Sequence, residues 1–154
     1  MDTHTETSNQ SMQKKAPETV TMPKPNSLFN VPCSSSIDFF KRWCVFLRPF
    51  ISLTDKEVTV IASLLKQRWE LSKSISDASI LDTMTMSDDT KKKVIEECHI
   101  TSEHFYVIKS SLKKKGVIVD DMIIPEMIPK IREEDIGTFR LLIQFKRTDL
   151  NGVQ

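Results

Sequence analysis

The chain has 154 residues, 39% of them hydrophobic and 28% charged, enough to bury one ordinary core but not two large ones. Its 22 basic and 21 acidic residues leave a net charge of +1, which excludes an overall field drawing the protein to nucleic acid or to an anionic membrane. Cys33, Cys44 and Cys98 are odd in number and lack paired spacing, and no apolar run is long enough for a bilayer span or a signal peptide. The expected setting is reducing and cytoplasmic, without membrane contact.

Residues 1–36 are rich in Thr, Ser, Gln and Pro, and Pro17, Pro23, Pro25 and Pro32 interrupt any regular helix or strand. This stretch reads as a disordered or extended arm. Leu28, Phe29 and Val31 are its only apolar cluster, suited to docking as an extended peptide in a groove of this domain or of another copy. A helix is expected from about Ser36 to Arg48, ended by Pro49 and dense in aromatics: Phe39, Phe40, Trp43 and Phe46. Two of its faces are apolar, one for the core and one for the arm or a partner.

The clearest helix start is Thr54-Asp55-Lys56-Glu57, a capping box flanked by the hydrophobic staple of Leu53 and Val58. Val58, Ile61, Ala62, Leu65 and Trp69 form its buried stripe, with Lys56, Ser63, Lys66, Gln67 and Glu70 toward water. A short helix over residues 78–84 comes next, then one from the N-cap Ser87 to about Cys98. Lys91, Lys92 and Lys93 lie near that helix's start, where cations meet the wrong end of the dipole; helix stability does not explain them. They are either a solvated face or a contact to phosphate or to an acidic protein surface.

The next helix is expected from a Thr101 or Ser102 cap to Gly116, which supplies the left-handed residue at its end, with Phe105, Ile108 and Leu112 inward. Strands over residues 117–119 and 122–124 should flank the turn Asp120-Asp121, and the alternation of Phe139, Leu141, Ile143 and Phe145 predicts a further strand. Two helices, a tight turn and a hairpin are the pattern of a winged helix-turn-helix. The expected architecture is therefore α+β: a winged helix-turn-helix-like domain over residues 37–147, mostly helical with a small antiparallel sheet, and then a flexible tail over 148–154.

Catalytic chemistry has little to rest on. The three glycines, Gly116, Gly137 and Gly152, build no phosphate-cradling loop. Cys98, His99 and His104 lack the further ligands a zinc site needs, and Cys98 with His104 makes a weak nucleophile and base. No enzyme, cofactor or metal is expected. Two binding classes remain. A DNA reader would use His104, Tyr106, Lys109, Ser110 and Lys113 against base edges and phosphates. Against this, residues 117–135 hold six acidic residues, among them Asp120, Asp121, Glu133 and Glu134, and only two basic ones, which phosphate would repel. An interaction module would instead use Leu28, Phe29 and Val31 with Lys91, Lys92, Lys93, Asp120, Asp121, Glu133 and Glu134, so that the basic helices of one copy face the acidic hairpin of the next.

The runs Phe39-Phe40-Lys41-Arg42-Trp43-Cys44, Arg48-Pro49-Phe50, Leu53-Thr54-Asp55-Lys56-Glu57, Thr90-Lys91-Lys92-Lys93, Ile100-Thr101-Ser102-Glu103-His104-Phe105 and Gly116-Val117-Ile118 resemble small proteins of crAss-like tailed bacteriophages, over about residues 37–145. Some proteins of that group build rings in the neck and tail of the virion, and others act on DNA in the infected cell. The resemblance implies a repeated virion component, made in the host cytoplasm, that binds other virion proteins and copies of itself. The alternative it leaves is a winged-helix regulator of transcription or replication that binds duplex DNA. It assigns no catalytic residue.

Overall fold

The structure is a computed structural model and describes residues 29–132, 138–141, 143 and 145–149. The chain divides into two units, Met1–Pro32 and Cys33–Gln154. The second is α+β: among the described residues it holds five α-helices, one two-stranded hairpin and a short 3-10 helix, Pro125–Met127. Each helix begins where a short polar side chain satisfies a free N–H group. Ser35 caps α1 (Ser36–Phe46), Thr54 caps α2 (Asp55–Ser72), Asp77 caps α3 (Ala78–Thr85), Ser87 caps α4 (Asp88–Cys98) and Thr101 caps α5 (Ser102–Lys114).

Helix α2 is central. It packs against α1, α3, α4 and α5, and Val60, Ile61, Ala62, Leu64 and Leu65 are each at most 2% exposed. The expected stripe holds at Val58, Ile61, Ala62 and Leu65, but burial is wider: Val60 and Leu64 are also covered, Ser63 is fully buried, and Trp69 is only half-buried. A helix contacted on several sides buries more than the single stripe of an amphipathic one. Lys66, expected toward water, reaches Glu97 of α4 at 3.0 Å, while Arg68 holds Asp82 of α3 at 3.0 Å.

Phe105, Ile108 and Leu112 of α5 join the same core, with Phe105 and Leu112 wholly covered. Gly116 closes α5 at φ 72°, and the Val117 N–H returns to the Leu112 carbonyl at 3.0 Å. The hairpin comes directly after. Strands β1 (Ile118–Val119) and β2 (Met122–Ile123) pair antiparallel with Ile118 opposite Ile123, and Asp120 and Asp121 both adopt positive φ, the two-residue turn whose twist suits a hairpin. The Ile124 N–H also bonds the Val117 carbonyl at 3.0 Å, extending the pairing to the residues expected as strand ends.

The further strand is a correction. Residues 138–141, 143 and 145–149 form no strand among the described residues, and Leu141, Ile143 and Phe145 are 45%, 49% and 93% exposed rather than packed on α5. Strands of two residues, with Pro125 immediately after Ile124, offer a short edge for a third to join. Phe139 turns instead to α1, edge-on to Phe39 at 5.3 Å and to Trp43 at 5.7 Å. That contact covers part of the outer apolar face of α1, while Trp43 Nε1 donates to the Met127 carbonyl at 2.8 Å.

One buried polar network ties the start of α2 to the end of α5. Glu57, 4% exposed, accepts from the Thr54 N–H at 2.9 Å, from Ser111 Oγ at 2.5 Å and from Lys115 Nζ at 2.6 Å. Burial alone would raise the Glu57 carboxyl, but the hydrogen bonds from Lys115, Ser111 and Thr54 outweigh it and hold the pKa below its ordinary 4.5. A folded-state pKa that is depressed contributes stability above the unfolded value and loses it as pH falls through the folded one. Acid unfolding of the wild type should therefore steepen below about pH 4.5, and Glu57→Gln should flatten that limb while costing about 1.5–3 kcal/mol at pH 7, measured by denaturant melts across pH. Phe105→Ala, which empties the centre of the α5 contact, should cost about 3–5 kcal/mol in the same melts; a loss under about 1 kcal/mol contradicts the packing.

Candidate functional site

Helix α4, a three-residue turn and α5 form a continuous unit, with the hairpin folded back beside α5. His99 makes the turn possible by adopting φ 53°, a left-handed conformation, and the Ile100 N–H reaches back to the Ile95 carbonyl at 3.2 Å. The hairpin then brings its turn to α5. Lys109 Nζ lies 2.6 Å from Asp121 Oδ1, and the lysine side chain is only 9% exposed against 54% for the aspartate.

Lys109, expected on the open side of α5, is instead covered and paired with the hairpin. The long aliphatic stem of Lys109 is covered, and its ammonium is spent on the hairpin. The Lys109 hydrogen bond holds the Asp121 carboxyl below its ordinary range, and the charges of Lys109, Lys113 and Lys91 add to the effect. Asp121 is thus an anion set among three cations. The acidic hairpin turn is partly neutralised by its own domain.

Lys91 explains its odd position near the start of α4 in the same way. Its side chain is 17% exposed, with Nζ 3.8 Å from Asp88 Oδ1 and 5.8 Å above the Tyr106 ring. Lys92 and Lys93 are exposed. On α5, Tyr106, Ser110 and Lys113 are exposed as expected, and His104 is half-buried. Lys115 belongs to the Glu57 network and also donates to the Ser52 carbonyl, so it adds no open charge to the basic end of α5.

Sequence reasoning confined to polar groups misses Val107, which stands beside Tyr106 at the outward centre of α5. Val107 is 66% exposed and Tyr106 49%, and with Ser110, Ser111 and Lys114 they line a shallow depression. A solvent-facing β-branched residue one position after an aromatic was the available signal. Phe29 and Val31 are exposed, Asp120 is exposed in the hairpin turn, and Leu28, Glu133 and Glu134 lie outside the described residues.

Burial pushes the Cys44 thiol up to about 12 and raises that of Cys98, which opposes thiolate formation at either position. Among the described residues no His, Cys, Asp and Glu side chains gather in a metal-sized group, and no helix is long and apolar enough to cross a membrane. Comparison with protein-family models, with curated proteins and with solved structures returned no match to this chain.

The Lys109–Asp121 pair makes an asymmetric prediction. Asp121→Asn leaves a covered ammonium with a weaker acceptor and should cost about 1–2 kcal/mol. Lys109→Met keeps the packed stem and removes the charge, so it should cost less than about 1 kcal/mol. Equal losses in thermal or denaturant melts would mean that the pair is not shielded as described.

Proposed function

We propose that this chain is a non-enzymatic interaction module with a winged-helix arrangement, and that it serves as a repeated virion component, such as a neck or tail ring subunit of a tailed phage. The observation that carries the interaction reading is the outer face of α5, where Tyr106 and Val107 stand exposed while Lys109, the cation at the middle of the helix, is engaged by Asp121. A helix that reads a major groove presents polar and cationic groups at its centre. This one presents an aromatic and an aliphatic side chain, the kind that supply affinity in protein interfaces.

The virion part of the reading rests on the resemblance to small proteins of crAss-like phages. The succession of α4, turn, α5 and hairpin supports the winged-helix reading. The exposed Lys92, Lys93, Lys113 and Lys114 would set orientation against a neighbouring subunit's acidic surface, and the apolar centre would hold it. Binding of duplex DNA is the competing function, for which Tyr106, Ser110 and Lys113 are placed on the open face.

Purified virions examined by mass spectrometry should contain the chain in multiple copies per particle. Val107→Asp should leave stability within about 0.5 kcal/mol of wild type and reduce incorporation into particles by about tenfold or more. Duplex DNA should bind weakly, without a selected sequence, and with an affinity that falls with salt. Absence from particles together with nanomolar binding to one enriched DNA motif would replace this function with the regulatory one.

A further inference from the structure

The tip of the hairpin lies in a cluster of cations. Lys109 Nζ is 2.6 Å from Asp121 Oδ1, and the lysine side chain is 9% exposed against 54% for the aspartate, so the carboxylate is the outer member of the pair. Lys113 follows Lys109 by one turn of α5, and Tyr106 precedes it by one turn. Lys91 of α4 reaches the same stripe: its Nζ is 5.8 Å from the centre of the Tyr106 ring, with the exposed Asp88 3.8 Å away. The Lys109 hydrogen bond, and then the charges of Lys109, Lys113 and Lys91, hold the Asp121 carboxyl below its ordinary range. Asp120, its neighbour in the turn, is exposed and makes no ion pair among the described residues.

We infer that Asp121 is the internal occupant of an anion site formed by Lys91, Lys109 and Lys113, and that the ligand it keeps out is the phosphate backbone of a nucleic acid. The inference goes beyond the interaction reading and does not rest on it. A carboxylate oxygen at hydrogen-bond distance from a covered ammonium stands where a phosphate oxygen would accept the same charge-assisted bond. The ammonium is already aimed, because the packed stem of Lys109 has little rotamer freedom left to lose. Lys109 and Lys113 are spaced one turn apart along one helix with Lys91 beside them, a line of cations suited to a ligand that repeats its charge. On the same stripe the exposed Tyr106 and Ser110 add hydroxyl donors, groups that bind phosphate oxygens without reading sequence. A phosphate entering the site must displace Asp121, so contact with Lys109 is an exchange of one anion for another. The hairpin turn therefore holds down the affinity of α5 for nucleic acid while leaving the helix itself unchanged.

The test measures binding of the full chain to a fluorescein-labelled DNA duplex of mixed sequence by anisotropy, across about 50–200 mM salt. Asp121 sits at φ 58°, a conformation that Asn and Gly both accept in a two-residue hairpin turn, so Asp121→Asn and Asp121→Gly each remove the carboxylate and keep the turn. Both should bind about tenfold more tightly than wild type at the low end of the range, and the slope of log affinity against log salt should steepen by about one, for one cation gained. Asp120→Asn removes the same charge from the same turn without freeing an ammonium, and should change affinity by less than about twofold. Adding Lys109→Met to Asp121→Asn should cancel the gain. Equal gains from Asp120→Asn and Asp121→Asn would show an effect of net charge alone and overturn the inference. So would the absence of a gain in whichever of the two Asp121 variants keeps the wild-type circular dichroism, or a gain that survives Lys109→Met. A gain toward poly-glutamate and not toward the duplex assigns the site to an acidic protein and overturns the phosphate assignment. None of these outcomes touches the interaction reading, which is judged by Val107→Asp and by the content of particles.

Discussion

The buried carboxylate of Glu57 is the constraint on which the arrangement of α2 and α5 depends. A charge that is 4% exposed must be compensated, and Glu57 takes its partners from three places: the Thr54 N–H at the start of its own helix, and Ser111 and Lys115 at the end of α5. Apolar contacts between two helices tolerate sliding, whereas hydrogen bonds to two carboxylate oxygens do not. The network therefore fixes α5 along its axis relative to α2. It also fixes where the hairpin starts, because Lys115 precedes Gly116 and β1 begins two residues after that glycine.

Most helix boundaries were legible because they are written in local chemistry. Thr54 with Glu57, Ser87, Thr101 and Gly116 act within a few residues of their own position, so the sequence alone shows both donor and acceptor. Glu57 itself was legible only as a capping residue. Its second role depends on Ser111 and Lys115, far along the chain, and a near-neutral composition gives no sign of which charges meet. The same limit applies to Lys109. Helical spacing alone leaves a lysine beside Ile108 at the edge of the buried stripe, and only the turn at Asp121 decides that it is covered. Phe139 shows the reverse error: period-two alternation describes a strand when an edge is available, and here the aromatic surface of α1 offered the better contact.

The hairpin looks acidic in sequence, yet in place Asp121 is surrounded by Lys91, Lys109 and Lys113. Under the proposed interaction reading, the weakness of the DNA alternative is then one of supply rather than repulsion. The acidic turn takes Lys109 as its ion-pair partner, while Lys113 stays exposed. Each lysine engaged internally is one fewer available to release counterions from a duplex, and salt-dependent affinity scales with that number.

Other charges are likewise engaged inside the fold. Lys66–Glu97, Arg68–Asp82, Lys109–Asp121 and Lys115–Glu57 each join two different elements, so these charges serve internal register rather than an external field. Among the exposed cations, Lys92 and Lys93 lie on α4 and Lys113 and Lys114 on α5, the helix that also carries exposed Val107 and Tyr106. Screened surface charges contribute little free energy each but do orient an approaching surface, whereas apolar area contributes without regard to direction. In the proposed interaction reading, a face that combines the two has its binding strength set by Tyr106 and Val107 and its selectivity by the lysines around them. Affinity for the right partner should then depend only weakly on salt while discrimination among partners depends on it strongly, the opposite of what a phosphate-reading helix requires.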